Sequence, residues 1–376
     1  MISSTIADPA SFRELLINDT PFLDVRAQVE FGSGTMPGSF NEPILNDDER
    51  HQVGTCYKQQ GQAEAIKLGH QLVCGDTKQQ RIDRWCQFAR DNKNAHLYCW
   101  RGGMRSNLAQ QWMKQAGIDI PLIPGGYKAL RRVLLDEIDL ASGSPMIIIG
   151  GKTGTAKTLL VNELSTGIDL EGFAHHRGSS FGRRVEEPPC QTDFENRLAI
   201  DLLKKSDDVK KRPLFFEDES RMVGPITIPN NLWLAMCEAP IAVVEMSLDF
   251  RIQRILQEYV IEMEQQHHAA DAQLGDENYR QHLLASLYRI RKRLGSERYK
   301  QLAGLMTAAL DQQQNSGDVT AHEAWISTLL VDYYDPMYEY QLQGKQDRVR
   351  FKGDYQQVME WARRVDKTHS IKRLSF

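Results

Sequence analysis

The sequence predicts an α/β protein with an N-terminal parallel-sheet domain, followed by a second α/β domain carrying a helical C-terminal extension. Three observations carry this. Over residues 1–138 short apolar runs alternate with helical stretches, the pattern of a parallel sheet covered by helices. A small-residue break, Asp-Leu-Ala-Ser-Gly-Ser-Pro at 139–145, then separates two patterned regions. Beyond it a β-prone run enters a glycine-rich turn, and from about 248 to 330 the pattern becomes long, helical and charged. Domains are expected at 1–138 and 146–250, with a mainly helical region at 251–376 that completes the second half.

In order, Phe-Leu-Asp-Val at 22–25 reads as a buried strand and residues 82–89 as an amphipathic helix. His-Leu-Tyr-Cys at 96–99 reads as a second strand. Residues 107–116 have helical periodicity, which Gly117 stops. Met-Ile-Ile-Ile at 146–149 is a strand and the chain from Leu159 a helix. Residues 213–216 and 241–244 are further strand candidates.

Composition excludes several classes. A 376-residue chain with 41% hydrophobic and 26% charged residues is globular rather than disordered. The longest apolar run, at 146–149, is far too short to span a membrane. The first fifteen residues lack a basic segment followed by an apolar run, so a cytoplasmic location with reduced thiols is expected. Six scattered cysteines without a CxxC pair argue against a structural zinc site and a disulfide framework. A net charge of −4 announces no nucleic-acid binder, although a local basic face would suffice for one.

Cys99 stands where a strand ends and a helix follows, in His-Leu-Tyr-Cys-Trp-Arg-Gly-Gly-Met-Arg-Ser-Asn-Leu-Ala at 96–109. Gly102 and Gly103 let the backbone curl with its N–H groups inward, and Arg101 or Arg105 adds positive potential. Both features favour a thiolate nucleophile. A buried strand-end cysteine beside a tight turn accounts for the bare pattern equally well.

Other motifs join it. Phe-Leu-Asp-Val-Arg at 22–26 with Glu30, Gly-Thr-Met-Pro-Gly-Ser-Phe-Asn at 34–41 and Pro-Gly-Gly at 124–126 occur in the order found in the rhodanese family, which residues 4–132 resemble. Thr35 stands where that family has histidine, and Arg105 lies one position later than in its commonest short loop. The resemblance implies that Cys99 is the catalytic cysteine, carrying a transferred chalcogen as a persulfide or perselenide.

Gly-Lys-Thr-Gly-Thr-Ala-Lys-Thr at 151–158 lies between a strand and a helix, the arrangement of a P-loop. Successive backbone N–H groups there face an anion. Lys157 supplies a point charge and the Thr158 hydroxyl can join a Mg²⁺ shell. Ala156 replaces the usual glycine and is expected to take a negative φ. About sixty residues on, Leu-Phe-Phe-Glu-Asp-Glu-Ser-Arg at 214–221 ends a strand in three carboxylates. One of them would hold Mg²⁺ through water, with Asp218 preferred over Glu217 and Glu219.

His-His-Arg-Gly-Ser-Ser-Phe-Gly at 175–182, followed by Gln-Thr-Asp-Phe-Glu-Asn at 191–196, suits anion contact or proton transfer, and a polar surface turn explains it at least as readily. Residues 289–293 hold four basic groups in five positions, and residues 345–376 hold nine Lys or Arg against four Asp or Glu. Such faces suit a phosphate backbone or simply solvent.

Tyr-Cys-Trp-Arg-Gly-Gly-Met-Arg-Ser at 98–106 and the 151–158 loop recur here with His-Arg-Gly-Ser at 176–179 and Phe-Glu-Asn at 194–196. Glu-Asp-Glu-Ser-Arg at 217–221 and Tyr-Tyr-Asp-Pro at 333–336 complete the set. This combination, spanning essentially the whole chain, resembles the bacterial tRNA 2-selenouridine synthase family.

The resemblance implies two coupled reactions on wobble 2-thiouridine of tRNA. The P-loop domain would bind geranyl diphosphate with Mg²⁺ and alkylate the sulfur. The rhodanese-like domain would then exchange the geranylthio group for selenium from selenophosphate, with a selenophosphate-producing enzyme as a possible donor partner. Cys99 would be the nucleophile, with Arg101 and Arg105 holding anions. Gly151, Gly154, Lys157 and Thr158 would grip the diphosphate, and Thr158 with Asp218 would support the metal. His176, Arg177, Arg221, Arg291 and Arg293 are further candidates for substrate contact. The alternative is an ATP-dependent P-loop kinase or tRNA thiolation enzyme with a sulfur-carrier domain.

Overall fold

The computed structural model describes residues 7–205 and 212–368. The chain forms two compact units. The first runs to Asp139 and takes in Cys190–Lys204 as well, and the second holds Leu140–Pro189 and the chain from Lys205 onward. Residues 190–204, expected in the second domain, therefore belong with the first.

In the first unit β1 (Phe22–Asp24), β2 (Ser39–Asn41) and β3 (His96–Tyr98) form a parallel sheet in the order β2-β1-β3. A parallel bridge from Leu97 to Leu122 extends it. Leu23, Val25 and Leu97 are buried against Trp85, Trp112 and Met113, as expected of a parallel sheet covered by helices. The helix Asp47–Gln60 starts at a capping box. Asn46 accepts from the Glu49 N–H and Glu49 accepts from the Asn46 N–H, each at 2.9 Å.

The helix Gln191–Lys204 joins this unit through Asn196. Arg131 donates to its Oδ1 at 2.6 Å, and its Nδ2 donates to the Thr35 carbonyl at 2.7 Å. Asp193 accepts from the Thr35 N–H at 2.7 Å. The Phe-Glu-Asn motif at 194–196 is thus a packing joint, and residues 191–196 lie on a helix.

In the second unit five parallel strands follow the order β10-β9-β4-β6-β5. They are β4 (Met146–Gly151), β5 (Gly167–Ile168), β6 (Leu214–Glu217), β9 (Ile241–Val244) and β10 (Val349–Gly353), and a small antiparallel hairpin pairs β7 (Met222–Val223) with β8 (Ile226–Thr227). All six residues of β4 are buried, which explains its unbroken apolar run. From β4 the chain crosses to the edge strand β5 and returns to β6 between them, then passes to β9 and β10 on the other side of β4. The carboxyl end of β4 is therefore the reversal point at which a crevice opens.

The C-terminal region completes this sheet. Val358, Trp361 and Ala362 of the helix Tyr355–Thr368 pack on Ile147, Ile149 and Phe215, and Trp361 stacks on Phe351 at 5.4 Å. Part of the basic excess after residue 344 is structural. Lys345 pairs with Asp218, and Arg348 donates to the carbonyls of Met236 and Ala239, capping the helix Asn230–Glu238. Residues 369–376, with Lys372 and Arg373 of that tail, lie outside the described residues, as do residues 1–6. The intervening helices bury a core of their own, including Met263, Leu283, Leu302 and Trp325. No helix among the described residues is long and apolar enough to cross a membrane.

Candidate functional site

Each unit places a reactive cluster at the carboxyl end of its sheet. In the first, Cys99 follows β3 and is buried, with Sγ 3.2 Å from the Ser106 hydroxyl. The loop is held from behind by the second glycine pair. Tyr127 N–H donates to the Cys99 carbonyl at 2.9 Å and Lys128 N–H to the Trp100 carbonyl at 3.1 Å. Gly126 has φ +59°, and a Cβ there would overlap the Cys99 carbonyl and the Gly102 amide. That close approach is why Pro-Gly-Gly at 124–126 accompanies the cysteine loop.

The opening strand motif supplies a buried brace. Arg26 is fully buried and donates to Asp24 through Nε at 2.9 Å and through a terminal nitrogen at 2.7 Å. The same nitrogen reaches the Gly34 carbonyl at 2.9 Å, and the guanidinium lies 4.2 Å from the Tyr127 ring centre. Tyr127 in turn stacks on Trp100 at 5.3 Å. Burial pushes the Asp24 carboxyl up despite the opposing pull of Arg26, so the pair is held by geometry rather than by easy ionisation.

Arg105 does not stand free to hold an anion, as the sequence suggested. Both of its terminal nitrogens donate to Glu30, at 2.6 and 3.1 Å. Burial alone would weaken its charge, but Glu30 outweighs this and the nearby Cys99 adds to the stabilisation. Arg105 therefore lends Cys99 a paired, immobile positive charge. Arg101 is exposed and available to an incoming anion.

In the second unit, the loop after β4 curls around its own lysine. Lys157 Nζ donates to the Gly151 carbonyl at 2.9 Å. Ala156 has φ +64°, the left-handed region, and not the negative value expected of it. This position keeps the conformation that glycine takes without strain, so alanine holds it at a cost of about 1–2 kcal/mol. Arg251 braces the loop from below. It is buried, donates to the Thr153 carbonyl at 2.8 Å, and clasps Asp335 at 2.9 and 2.5 Å. Asp335 of Tyr-Tyr-Asp-Pro is thus a loop support.

The carboxylate facing Thr158 is Glu217, which corrects the preference for Asp218. The Thr158 hydroxyl lies 3.0 Å from Glu217 Oε2 and 3.3 Å from Glu171 Oε2, whereas Asp218 accepts 2.7 and 2.9 Å hydrogen bonds from Lys345. Alternation at the strand end decides this, because Glu217 and Asp218 point to opposite sides. Carboxylate oxygens of Glu171, Glu217 and Glu219 lie within 4.8 Å of one another. Glu217 is buried, and its Oε1 has no protein partner. Burial and then the two neighbouring carboxylates raise the Glu217 carboxyl well above its ordinary value. Glu219 is raised likewise, by burial and then by Glu171. An orphaned buried oxygen within a set of hard oxygen donors fits a Mg²⁺ ion.

Glu171 had no recognisable sequence signal. It follows Asp169, whose side chain caps the short helix Leu170–Phe173, and only the fold brings it to Thr158. The 175–182 segment forms a roof over the carboxylates. Gly178 has φ +58°, and a Cβ there would press on both Glu171 and Glu219. The Ser179 hydroxyl lies 3.2 Å from that of Tyr259, and the Ser180 hydroxyl 2.8 Å from that of Tyr334. Both tyrosines sit on single π-helical segments, Leu256–Ile261 and Leu330–Tyr334. Such irregular turns re-aim side chains and recur at functional sites.

Together these elements line a cavity of about 640 Å³. Lys157, Arg177, Arg184, Arg254 and Arg293 contribute positive charge, and Ile255, Tyr259, Tyr334 and Met337 contribute apolar surface. Of the candidates from sequence, Gly151, Gly154, Lys157, Thr158, Arg177 and Arg293 reach it, as does Asp218 at its edge. Three others do not line it. Arg221 is exposed, near the Trp233 ring; Arg291 lies over the Tyr288 ring at 3.6 Å; His176 packs beside Gly224, where burial and then nearby arginines hold its ring below the usual histidine range.

Comparison with known proteins gives a consistent result. A family model described as the tRNA 2-selenouridine synthase AAA domain matches residues 144–369. The chain is 49% identical over 351 residues to a tRNA 2-selenouridine synthase of Photobacterium profundum, covering 93% of this chain and 96% of that protein. It is 49% identical to the enzyme of that name from Psychromonas ingrahamii (96% and 98% covered) and 48% identical to that from Marinobacter nauticus (95% and 97%).

Proposed function

The chain belongs to the tRNA 2-selenouridine synthase family, and from that premise we propose a two-step conversion of wobble 2-thiouridine to 2-selenouridine in tRNA. In the first step the second unit binds geranyl diphosphate. The observation that carries this is the cavity's mixed lining, in which Lys157, four arginines and a set of carboxylates able to hold a cation lie beside tyrosine and aliphatic side chains. Such a lining matches a molecule that is a diphosphate at one end and a hydrocarbon at the other. The thiouridine sulfur attacks the first carbon of the chain, the C–O bond breaks, and diphosphate leaves with the electron pair. Lys157 and the arginines stabilise the charge that develops on the leaving oxygens. Glu171, Glu217, Glu219 and Thr158 would hold Mg²⁺, which supplies further neutralisation of the diphosphate.

The second step takes place at Cys99, whose thiolate attacks C2 and expels the geranylthio group, and selenide then displaces the thiolate from C2 and regenerates it. The alkylated sulfur is a better leaving group than a thiocarbonyl sulfur. A C2–Se bond forms, the C2–S bond breaks, and geranylthiol departs with its electron pair and a proton. The P–Se bond of selenophosphate is opened by water, giving phosphate. Exposed Arg101 would meet the anionic donor, and Arg105 with Glu30 would position the loop.

The test is binding of labelled geranyl diphosphate against ATP, with and without Mg²⁺. Mg²⁺-dependent retention of geranyl diphosphate is expected. Preferential ATP binding with tRNA-stimulated hydrolysis would overturn the reading in favour of a kinase-like or thiolation reaction.

A further inference from the structure

We propose that an apolar cleft in the first unit receives the geranyl chain of the S-alkylated base, and holds it as geranylthiol until release. This rests on the two-step reading above. The cleft, of about 340 Å³, lies among the helices Asp47–Gln60, Gln62–Leu72 and Met104–Gln115. Val53, Ala65, Ile66, Leu108 and Trp112 form its walls, and its volume suits a small, largely apolar ligand.

Its position ties it to the cysteine. Met104 and Arg105, which line it, open the helix that follows the Cys99 loop, and Ser106 on the same turn touches the thiol at 3.2 Å. Trp112 and Val73 from its lining belong to the same buried cluster as Cys99. One end is polar, where Glu30 links Arg50 at 3.0 Å with Arg105 at 2.6 Å. A base seated at Cys99 would thus meet charge at the rim and hydrocarbon beyond it.

Gly54 supplies an independent sign. It lies inside the helix Asp47–Gln60, where glycine is a poor helix former, and it lines the cleft. A Cβ there would find nothing within 4 Å, so no neighbour demands glycine at this position. What its missing side chain leaves is room in the cleft.

The chemistry of the exchange gives the occupant. Breaking C2–S releases a ten-carbon thiol at Cys99, and each methylene kept from water adds roughly fourfold to binding. The experiment uses the full chain with anticodon stem-loops carrying S-geranyl- or S-methyl-2-thiouridine, supplied with selenophosphate. Wild type should favour the S-geranyl base at least tenfold in kcat/KM, mainly through KM. Gly54→Leu should fold as stably as wild type, lose that preference by slowing the S-geranyl substrate alone, and leave alkylation by geranyl diphosphate unchanged. Gly69→Leu, on the neighbouring helix Gln62–Leu72, where a Cβ meets only Val53 at ordinary contact distance, should act likewise. Equal loss on both substrates, or a preference that survives both substitutions, would overturn the cleft. Wild type that neither alkylates thiouridine nor accepts the S-geranyl base would overturn the two-step reading itself, before any variant is made.

Discussion

The Thr158 hydroxyl and Glu217 Oε2 lie 3.0 Å apart, which makes Glu217, and not the adjacent Asp218, the strand-end carboxylate that faces the loop hydroxyl. Replacing Glu217 with Gln should lower geranylation at least a hundredfold and abolish its Mg²⁺ dependence. Asp218→Asn, which breaks only the pair with Lys345, should cost less than tenfold. Single-turnover alkylation assays over a Mg²⁺ titration check both.

The carboxylate cluster predicts a pH dependence of stability. Glu217 and Glu219 bind their protons more tightly folded than unfolded, so the folded state carries more protons. Stability from this cluster is then greatest at low pH and falls as pH rises above the ordinary carboxyl value of 4.5. Without divalent cations the melting temperature should decline from pH 5 to 7.5. Millimolar Mg²⁺ should offset the decline, and Glu217→Gln should flatten it. Calorimetry with and without chelator measures each.

Asp335→Asn leaves the buried Arg251 guanidinium without its countercharge. Losing one partner of a buried pair costs about 3–5 kcal/mol. A drop in melting temperature of roughly 6–20 °C is expected for a domain of this size. Diphosphate affinity should fall with it, because Arg251 also holds the Thr153 carbonyl.

Ala156→Gly should relieve the left-handed strain at φ +64°. After the larger chain entropy of unfolded glycine is subtracted, a gain of about 0.5–1 kcal/mol remains. Thermal melting should rise slightly with alkylation retained, whereas Ala156→Val should lower both.

Cys99→Ser should abolish selenation while leaving geranylation intact, so that S-geranyl-tRNA accumulates. Ser106→Ala should slow selenation about tenfold without changing melting temperature by more than a few degrees. Mass spectrometry of digested tRNA reads both intermediates.

Much of this was legible in sequence because local rules decided it. The unbroken Met-Ile-Ile-Ile run entering a glycine-rich turn reads as a strand, and the glycines around Cys99 and Lys157 mark turns whose chemistry follows from their backbone. What escaped depended on contacts remote in sequence or on direction at a strand end. Glu171 reaches Thr158 through a fold-level approach that no spacing records. Glu217 and Asp218 are chemically alike, and only the pleat of β6 separates their destinations. Arg105 looked free until Glu30, 75 residues away, was placed against it. Ala156 takes a positive φ because the loop sets it, against alanine's own preference.

The helix Gln191–Lys204 has a consequence for how the molecule is made. The first unit lacks that helix until residue 204 has left the ribosome, by which time the 151–158 loop has already been synthesised. Chains ordinarily fold domain by domain from the N-terminus; here the leading half must wait. Neither half can be cut away at residue 139 as a finished piece, so gene fragments ending there should yield protein with an uncovered apolar face. One helix encoded inside the second half thus makes the two halves interdependent in synthesis, whatever each of them does alone.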